Sequence, residues 1–199
     1  MIIGVPVIGV FDAIVLAGGR GSRLGAPSKP ELRVGGRRLL DIALAAVVSA
    51  RRVVVVGEVQ VPDGVLRTRE EPAFGGPVAG VEAGFAALAE HSPWTLLLAC
   101  DLPGAETGVR ELLQAEPGPD HDGVCLLDGD GRRQWLLGCY RTHALADRLS
   151  DRGDPPLTAM YRLLGPLHLL GITAPEGCAE DVDTPADAAR WAATLKGHS

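Results

Sequence analysis

Between residues 13 and 115 the chain alternates two patterns of apolar and polar positions. Short runs at 13–16, 52–56 and 94–99 are apolar at nearly every position, while longer runs at 39–50, 78–90 and 109–115 carry their apolar residues at helical spacing. Runs apolar on both faces, such as Val53-Val54-Val55-Val56 and Leu96-Leu97-Leu98-Ala99, suit central parallel strands covered by helices on either side. The pattern predicts an α/β class, a three-layer Rossmann-like arrangement around a mostly parallel sheet. In open sheets of this kind ligands bind beyond the carboxyl ends of the strands, where the connecting loops gather.

Past residue 115 the alternation loosens. Pro117-Gly118-Pro119 breaks the chain, and 122–127 and 134–140 read as two strands joined by a turn at Asp128-Gly129-Asp130-Gly131. A helix is expected over 142–149, a break at Asp154-Pro155-Pro156 and a further strand over 167–172. The last helix is the best signed. Thr184 can cap it, Pro185 takes the first helical position and Asp187 completes a capping box, with the helix running to about 195.

Composition narrows the function. With 199 residues, 46% of them hydrophobic, the chain can bury one sizeable core and is taken as a single domain. A net charge of -6 argues against a general nucleic-acid or membrane-surface binder, so any anion site must be a local patch. Such a patch exists: Arg20, Arg23, Lys29, Arg33, Arg37 and Arg38 fall within a stretch whose only acid is Glu31. Cys100, Cys125, Cys139 and Cys178 are too far apart in sequence for a zinc motif and read as buried thiols. The apolar start lacks a basic leader and runs on into the first strand, which points to no signal peptide, no membrane span and a cytoplasmic location.

Four segments carry candidate chemistry. After the first strand, LAGGRGSRLGAPSKP is almost empty of bulk; Gly18, Gly19 and Gly21 can present backbone N–H groups to a phosphate while Arg20, Arg23 and Lys29 supply charge. It lacks the Gly-Lys-Ser/Thr of a P-loop and the third glycine of a dinucleotide fingerprint. A second small-residue stretch, Gly75-Gly76-Pro77-Val78-Ala79-Gly80, opens the helix at 78–90, where a helix N-terminus can meet a polar ligand. Asp101 ends the fully apolar strand 94–99, at the ligand-binding edge, and suits a divalent ion shared with phosphate oxygens. Asp181 and Asp183 alternate in an extended segment and can face the same way, Asp183 as a second metal carboxylate or as part of the helix start. The five histidines are scattered and are read as structural or solvated.

In this order, the stretches LAGGRGSRLG, SKPEL, REEPAFGGPVAGVEAG, LLLACDLPG and DVDTPADAARW resemble the molybdenum cofactor guanylyltransferases of the nucleotidyltransferase superfamily over nearly the whole chain. DGRRQWLLGCYRTHAL looks like that family's acceptor-side strand and the helix after it. The resemblance implies a nucleotidyltransferase fold, with a nucleotide-binding part over about 1–115 and an acceptor-binding part over about 116–199. It implies transfer of GMP from GTP to the terminal phosphate of molybdopterin, with Mg2+ required, in a monomer whose further partners would be molybdoenzymes or other cofactor-biosynthesis proteins. By the same resemblance Leu16, Ala17, Gly18, Gly19 and Gly21 hold the nucleotide, Arg23 and Lys29 the triphosphate, Gly80 the nucleoside, and Asp101 and Asp183 the metal. Glu70 or Glu71 stands where relatives often have aspartate, and Glu71 is assigned to the nucleotide.

Two departures keep alternatives open. Asp181 and Asp183 replace the asparagines commoner in that family and look more like the related cytidylyltransferases, whereas Gly19 speaks for guanine; Ser28 before Lys29, where an aspartate is usual, leaves room for an inactive nucleotide-binding paralogue. On the acceptor side, Arg132, Arg133 and Gln134 can reach a phosphate and Trp135 can cover a flat ring or pack in the core. A phosphate monoester with its second pKa near ~6 is already a nucleophile at neutral pH, so the absence of a placed catalytic histidine fits such a transfer.

Overall fold

The computed structural model describes residues 7–18, 29–71, 75–151 and 159–196. Seven strands form one sheet. In chain order they are β1 (Phe11–Leu16), β4 (Val53–Val56), β5 (Leu66–Thr68), β6 (Trp94–Ala99), β7 (Gly123–Leu127), β8 (Arg133–Arg141) and β9 (Leu169–Thr173). The two missing numbers, β2 (Arg33–Val34) and β3 (Arg37–Arg38), pair with each other as a small antiparallel hairpin. Across the sheet the order is β5-β4-β1-β6-β8-β7-β9, and only β8 runs against the rest. The expected mostly parallel α/β architecture is therefore what the chain adopts.

Alternation along each central strand divides two apolar layers. Ala13 and Val15 of β1, with Leu96 and Leu98 of β6, face one side, where α1 (Leu39–Ala46), α3 (Ala105–Gln114) and α6 (Pro185–Lys196) pack. Ile14 and Leu97 face the other, against α2 (Pro77–Ala87), α4 (Thr142–Ser150) and α5 (Met160–Leu164). All of these strand residues are fully buried, as a strand covered on both faces requires.

Strand 94–99 has the predicted bounds, and the turn between β7 and β8 forms as expected: the Asp128 carboxylate accepts the N–H groups of Asp130 and Arg132, and Gly131 takes φ +76°. The predicted cap of α6 is present too, with the Asp187 N–H donating to the Thr184 hydroxyl and the Thr184 N–H donating to the Asp187 carboxylate. Other boundaries move. Helix α1 stops at Ala46 rather than 50, and α3 starts at Ala105 rather than 109, because the sequence signal there was the apolar face alone and Gly104 ends the preceding turn. The hairpin β2–β3, the short edge strand β5 and the five-residue α5 were not foreseen; elements this short carry too few periods of apolar spacing to register.

At the carboxyl edge of the sheet, strand ends are fastened beyond their formal limits. The Ala17 N–H donates to the Val56 carbonyl and the Cys100 N–H to the Leu16 carbonyl, at 2.9 and 3.0 Å. Gly57, at φ +150°, lies so close to Ala17 that a Cβ would stand 2.9 Å from its carbonyl carbon and oxygen. Backbone cannot yield as a side chain tip can. Gly57→Ala is therefore expected to cost about 1–3 kcal/mol, the usual range for forced overpacking, read as a lower denaturation midpoint.

Candidate active site

Asp101 follows β6 by two residues, and the Cys100–Leu16 hydrogen bond sets it beside the beginning of the glycine loop. Ala17 is buried at this junction, Leu16 is half-buried, and a Cβ on Gly18 would stand 3.8 Å from the Val56 carbonyl oxygen and 3.9 and 4.0 Å from the two Glu70 carboxylate oxygens. The structure thus brings Glu70, rather than Glu71, to the loop. Glu71 is exposed and pairs with Arg69 at 3.7 Å. Gly19, Arg20, Gly21, Arg23 and Ser28 lie outside the described residues.

Lys29 begins a single 3-10 turn, Lys29–Glu31, tied down on both sides. The Leu32 N–H donates to the Lys29 carbonyl, Pro30 and Leu32 are buried, and Arg38 at the start of α1 grips both Glu31 and Asp41, at 3.2 and 2.7 Å. So held, the Lys29 ammonium stands 3.3 Å from an Asp101 carboxylate oxygen and also donates to Asp183. Burial pulls the Lys29 ammonium down, but the hydrogen bond to Asp183 and the charges of Asp101 and Asp183 together outweigh it, leaving its pKa above the ordinary lysine value. Asp101 is held above the usual carboxylate value, because burial outweighs the opposing charge of Lys29.

The acidic tail segment is docked onto the same strand end. The Val182 N–H donates to the Asp101 carbonyl at 2.9 Å, and the Val182 side chain is fully buried. With the middle residue turned inward, Asp181 and Asp183 both turn outward, as the alternation predicts. Carboxylate oxygens of Asp101, Asp181 and Asp183 lie within 4.8 Å of one another. Three hard oxygen donors at that spacing suit Mg2+, which takes one or two carboxylates and fills its remaining positions with water or phosphate. Sequence reasoning placed Asp183 in the metal set and left Asp181 out of it; the anchor Val182, an apolar residue between two acids, was the signal that both would converge.

Gly104 makes this docking possible. A Cβ there would stand 2.5 Å from the Cys178 Cα, so only glycine lets the 178–183 segment lie against the loop after Asp101. Gly80, by contrast, faces the sheet: its Cβ would meet Leu16 Cδ2 at 3.2 Å, and it allows α2 to sit close over β1. A depression of about 1110 Å³ lies between α2 and β5, with Gly57, Arg69 and Glu71 in its wall and Asp101 not among its lining residues. All four cysteines are buried free thiols. His121 and His168 stack on each other before β7 and β9, at the opposite edge of the sheet from Asp101.

Comparison with known proteins bears on the fold and the family. The family model of the MobA-like NTP transferase domain matches residues 13–168. A protein of Bacillus thuringiensis named probable molybdenum cofactor guanylyltransferase is 26% identical over 185 residues, covering 89% of this chain and 88% of the relative. The molybdenum cofactor guanylyltransferase of Cupriavidus necator is 35% identical over 136 residues, covering 62% and 66%. Among solved structures, molybdopterin-guanine dinucleotide biosynthesis protein A of Archaeoglobus fulgidus superposes with a TM-score of 0.69 at 19% identity, over 94% of this chain and 99% of that one. The 2-C-methyl-D-erythritol 4-phosphate cytidylyltransferase of Thermus thermophilus superposes at 0.63 and 20% identity, over 94% and 100%. At such identities the likeness is one of fold.

Two outcomes are expected from the geometry. Gly104→Ala should lift the tail segment off the strand end, seen as faster amide hydrogen exchange at Val182. The Arg38 grip on Asp41 lowers the Asp41 pKa below its ordinary 3.8, chiefly through their hydrogen bond. A carboxyl with a depressed folded-state pKa stabilises above its unfolded value and loses that contribution as pH falls through the folded one. Asp41→Asn should therefore be less stable than wild type at neutral pH, and the gap in melting temperature should close as acid takes the wild type below 3.8.

Proposed function

Because this chain belongs to the MobA-like NTP transferase family, we propose that it moves GMP from GTP to the terminal phosphate of molybdopterin. The observation that carries the proposal is the meeting of Lys29 with Asp101 and Asp183, and of those two carboxylates with Asp181, at the carboxyl edge of the sheet, next to the start of the glycine loop. Relatives named molybdenum cofactor guanylyltransferase support the choice of nucleotide and acceptor.

In the transfer, an oxygen of the acceptor phosphate attacks the α-phosphorus of GTP. A new P–O bond forms as the bond to the β-phosphate bridging oxygen breaks, and pyrophosphate leaves with that electron pair. No proton need be removed from a dianionic monoester, so the chain's task is to hold two anions together and to stabilise the charge that develops. The backbone of Leu16, Ala17 and Gly18 receives the nucleotide, and Lys29 lends positive charge beside the carboxylates. Mg2+ held by Asp101, Asp181 and Asp183 would supply the further neutralisation that a triphosphate requires. Arg23 is assigned to the triphosphate on its place in the loop.

The aspartates at 181 and 183 favour one other base, cytosine, as in the related cytidylyltransferases. Incubation with molybdopterin, Mg2+ and GTP should release pyrophosphate, whereas release with CTP and not GTP would transfer the assignment to cytidylyl transfer. Thermal stabilisation by GTP without release would mark a binding protein instead. Asp101→Asn should lower turnover by about 10²–10³-fold, the scale of losing one preorganised electrostatic contact, with the fold intact by circular dichroism. Unchanged turnover would remove Asp101 from the machinery.

A further inference from the structure

The pairing of β7 with β8 breaks at one place. Cys125 stands opposite Gly138, yet its neighbour Leu126 stands opposite Gln134, so Trp135, Leu136 and Leu137 have no partner on β7. On the other side β6 pairs with β8 only as far as Leu98 opposite Leu137, which leaves Trp135 and Leu136 outside both registers. Bulges of this kind bend a strand and re-aim its side chains, often beside an active site.

A single side chain fastens the bulge. Tyr140 is fully buried, and its hydroxyl donates to the Trp135 carbonyl at 2.8 Å, giving that carbonyl the partner that the broken ladder denies it. Gly138 makes the contact possible. A Cβ there would stand 2.6 Å from the Tyr140 hydroxyl oxygen and 2.9 Å from Cζ, so the ring can lie back along its own strand only over a glycine.

What the bulge carries lies at the chemical edge of the sheet. Because β8 runs antiparallel to β6 with Leu137 opposite Leu98, Trp135 falls at the same edge as Asp101. It is half-buried, packed with Leu16 and Leu136 against the layer of α2, α4 and α5. The Arg133 guanidinium sits over its ring, 5.6 Å from the centroid. The neighbouring polar groups are engaged with the turn, Arg132 with Asp130 and Gln134 with Asp128. An indole face stacks on a flat heterocycle and a guanidinium pairs with phosphate, so Trp135 and Arg133 together suit a flat ring that bears a phosphate.

We propose that Tyr140 is a positioning residue for the acceptor: its hydroxyl holds the β8 bulge, and the bulge sets Trp135 and Arg133 as a platform for a phosphorylated flat heterocycle. Molybdopterin as that heterocycle rests on the function proposed above. Were the strand to slide back into register, the odd number of displaced residues would turn Trp135 to the opposite face.

Tyr140→Phe keeps the ring over Gly138 and removes only the hydroxyl. Calorimetric titration with molybdopterin, without nucleotide, should show binding weakened about fivefold, the factor of one net hydrogen bond, while affinity for GTP stays at the wild-type value. Amide exchange at 134–137 should quicken while that of β6 does not. Trp135→Leu should weaken molybdopterin binding by itself, and adding Tyr140→Phe should weaken it further by much less than Tyr140→Phe does alone, since the hydroxyl acts largely through the indole. Wild-type affinity for molybdopterin in Tyr140→Phe, fully additive losses in the double variant, unaltered exchange at 134–137, or no molybdopterin binding by the wild type would each overturn the proposal. Failure of GTP to yield pyrophosphate is a separate result: it would strike guanylyl transfer, while the titrations would still decide the role of Tyr140.

Discussion

Two backbone hydrogen bonds at one strand end, Cys100 to Leu16 and Val182 to Asp101, are what the site depends on. The first joins β6 to β1 beyond their formal ends and so fixes Asp101 against the root of the glycine loop. The second draws a distant segment of the chain onto the Asp101 carbonyl, and with it Asp181 and Asp183. Backbone bonds are suited to this task because their geometry is narrow and does not depend on side-chain rotamers. Asp181 and Asp183 can then be exposed, and Asp101 half-buried, while their positions are set by a buried framework.

Gathering three carboxylates has an electrostatic cost, and the structure shows how it is offset. Burial and the neighbouring acid Asp181 push Asp101 toward its protonated form, and the Lys29 ammonium opposes them. Lys29 is in turn positioned from a distance. The 3-10 turn that carries it is anchored by Pro30 and Leu32 beneath and by the Arg38 link from Glu31 to Asp41 above. Like charges brought this close favour an added cation, which is the physical reason that such a cluster suits the divalent ion of the proposed transfer.

Glycine recurs at close approaches. Gly57 meets the backbone of Ala17, Gly104 meets the backbone of Cys178, and Gly138 lies under the Tyr140 ring. At the first two the missing Cβ decides where a neighbouring segment lies, and at the third where a ring on the same strand lies. Gly80 faces Leu16 and the sheet, and its missing Cβ allows the close placement of α2.

The sequence by itself determined the layers and the edge. Runs such as Val53–Val56 are apolar on both faces, and a strand of that kind can only be central, so the α/β class and the strand ends bearing Leu16 and Asp101 followed from local pattern alone. The capping box at Thr184 and Asp187 was legible for the same reason, since its partners are three residues apart. Tertiary structure alone decided which distant groups meet: Lys29 with Asp183, Val182 with Asp101, Glu70 rather than Glu71 beside Gly18, Tyr140 with a bulge in its own strand. Those choices turn on strand register and on single close contacts, which depend on the whole packed sheet and leave no periodic trace along the chain.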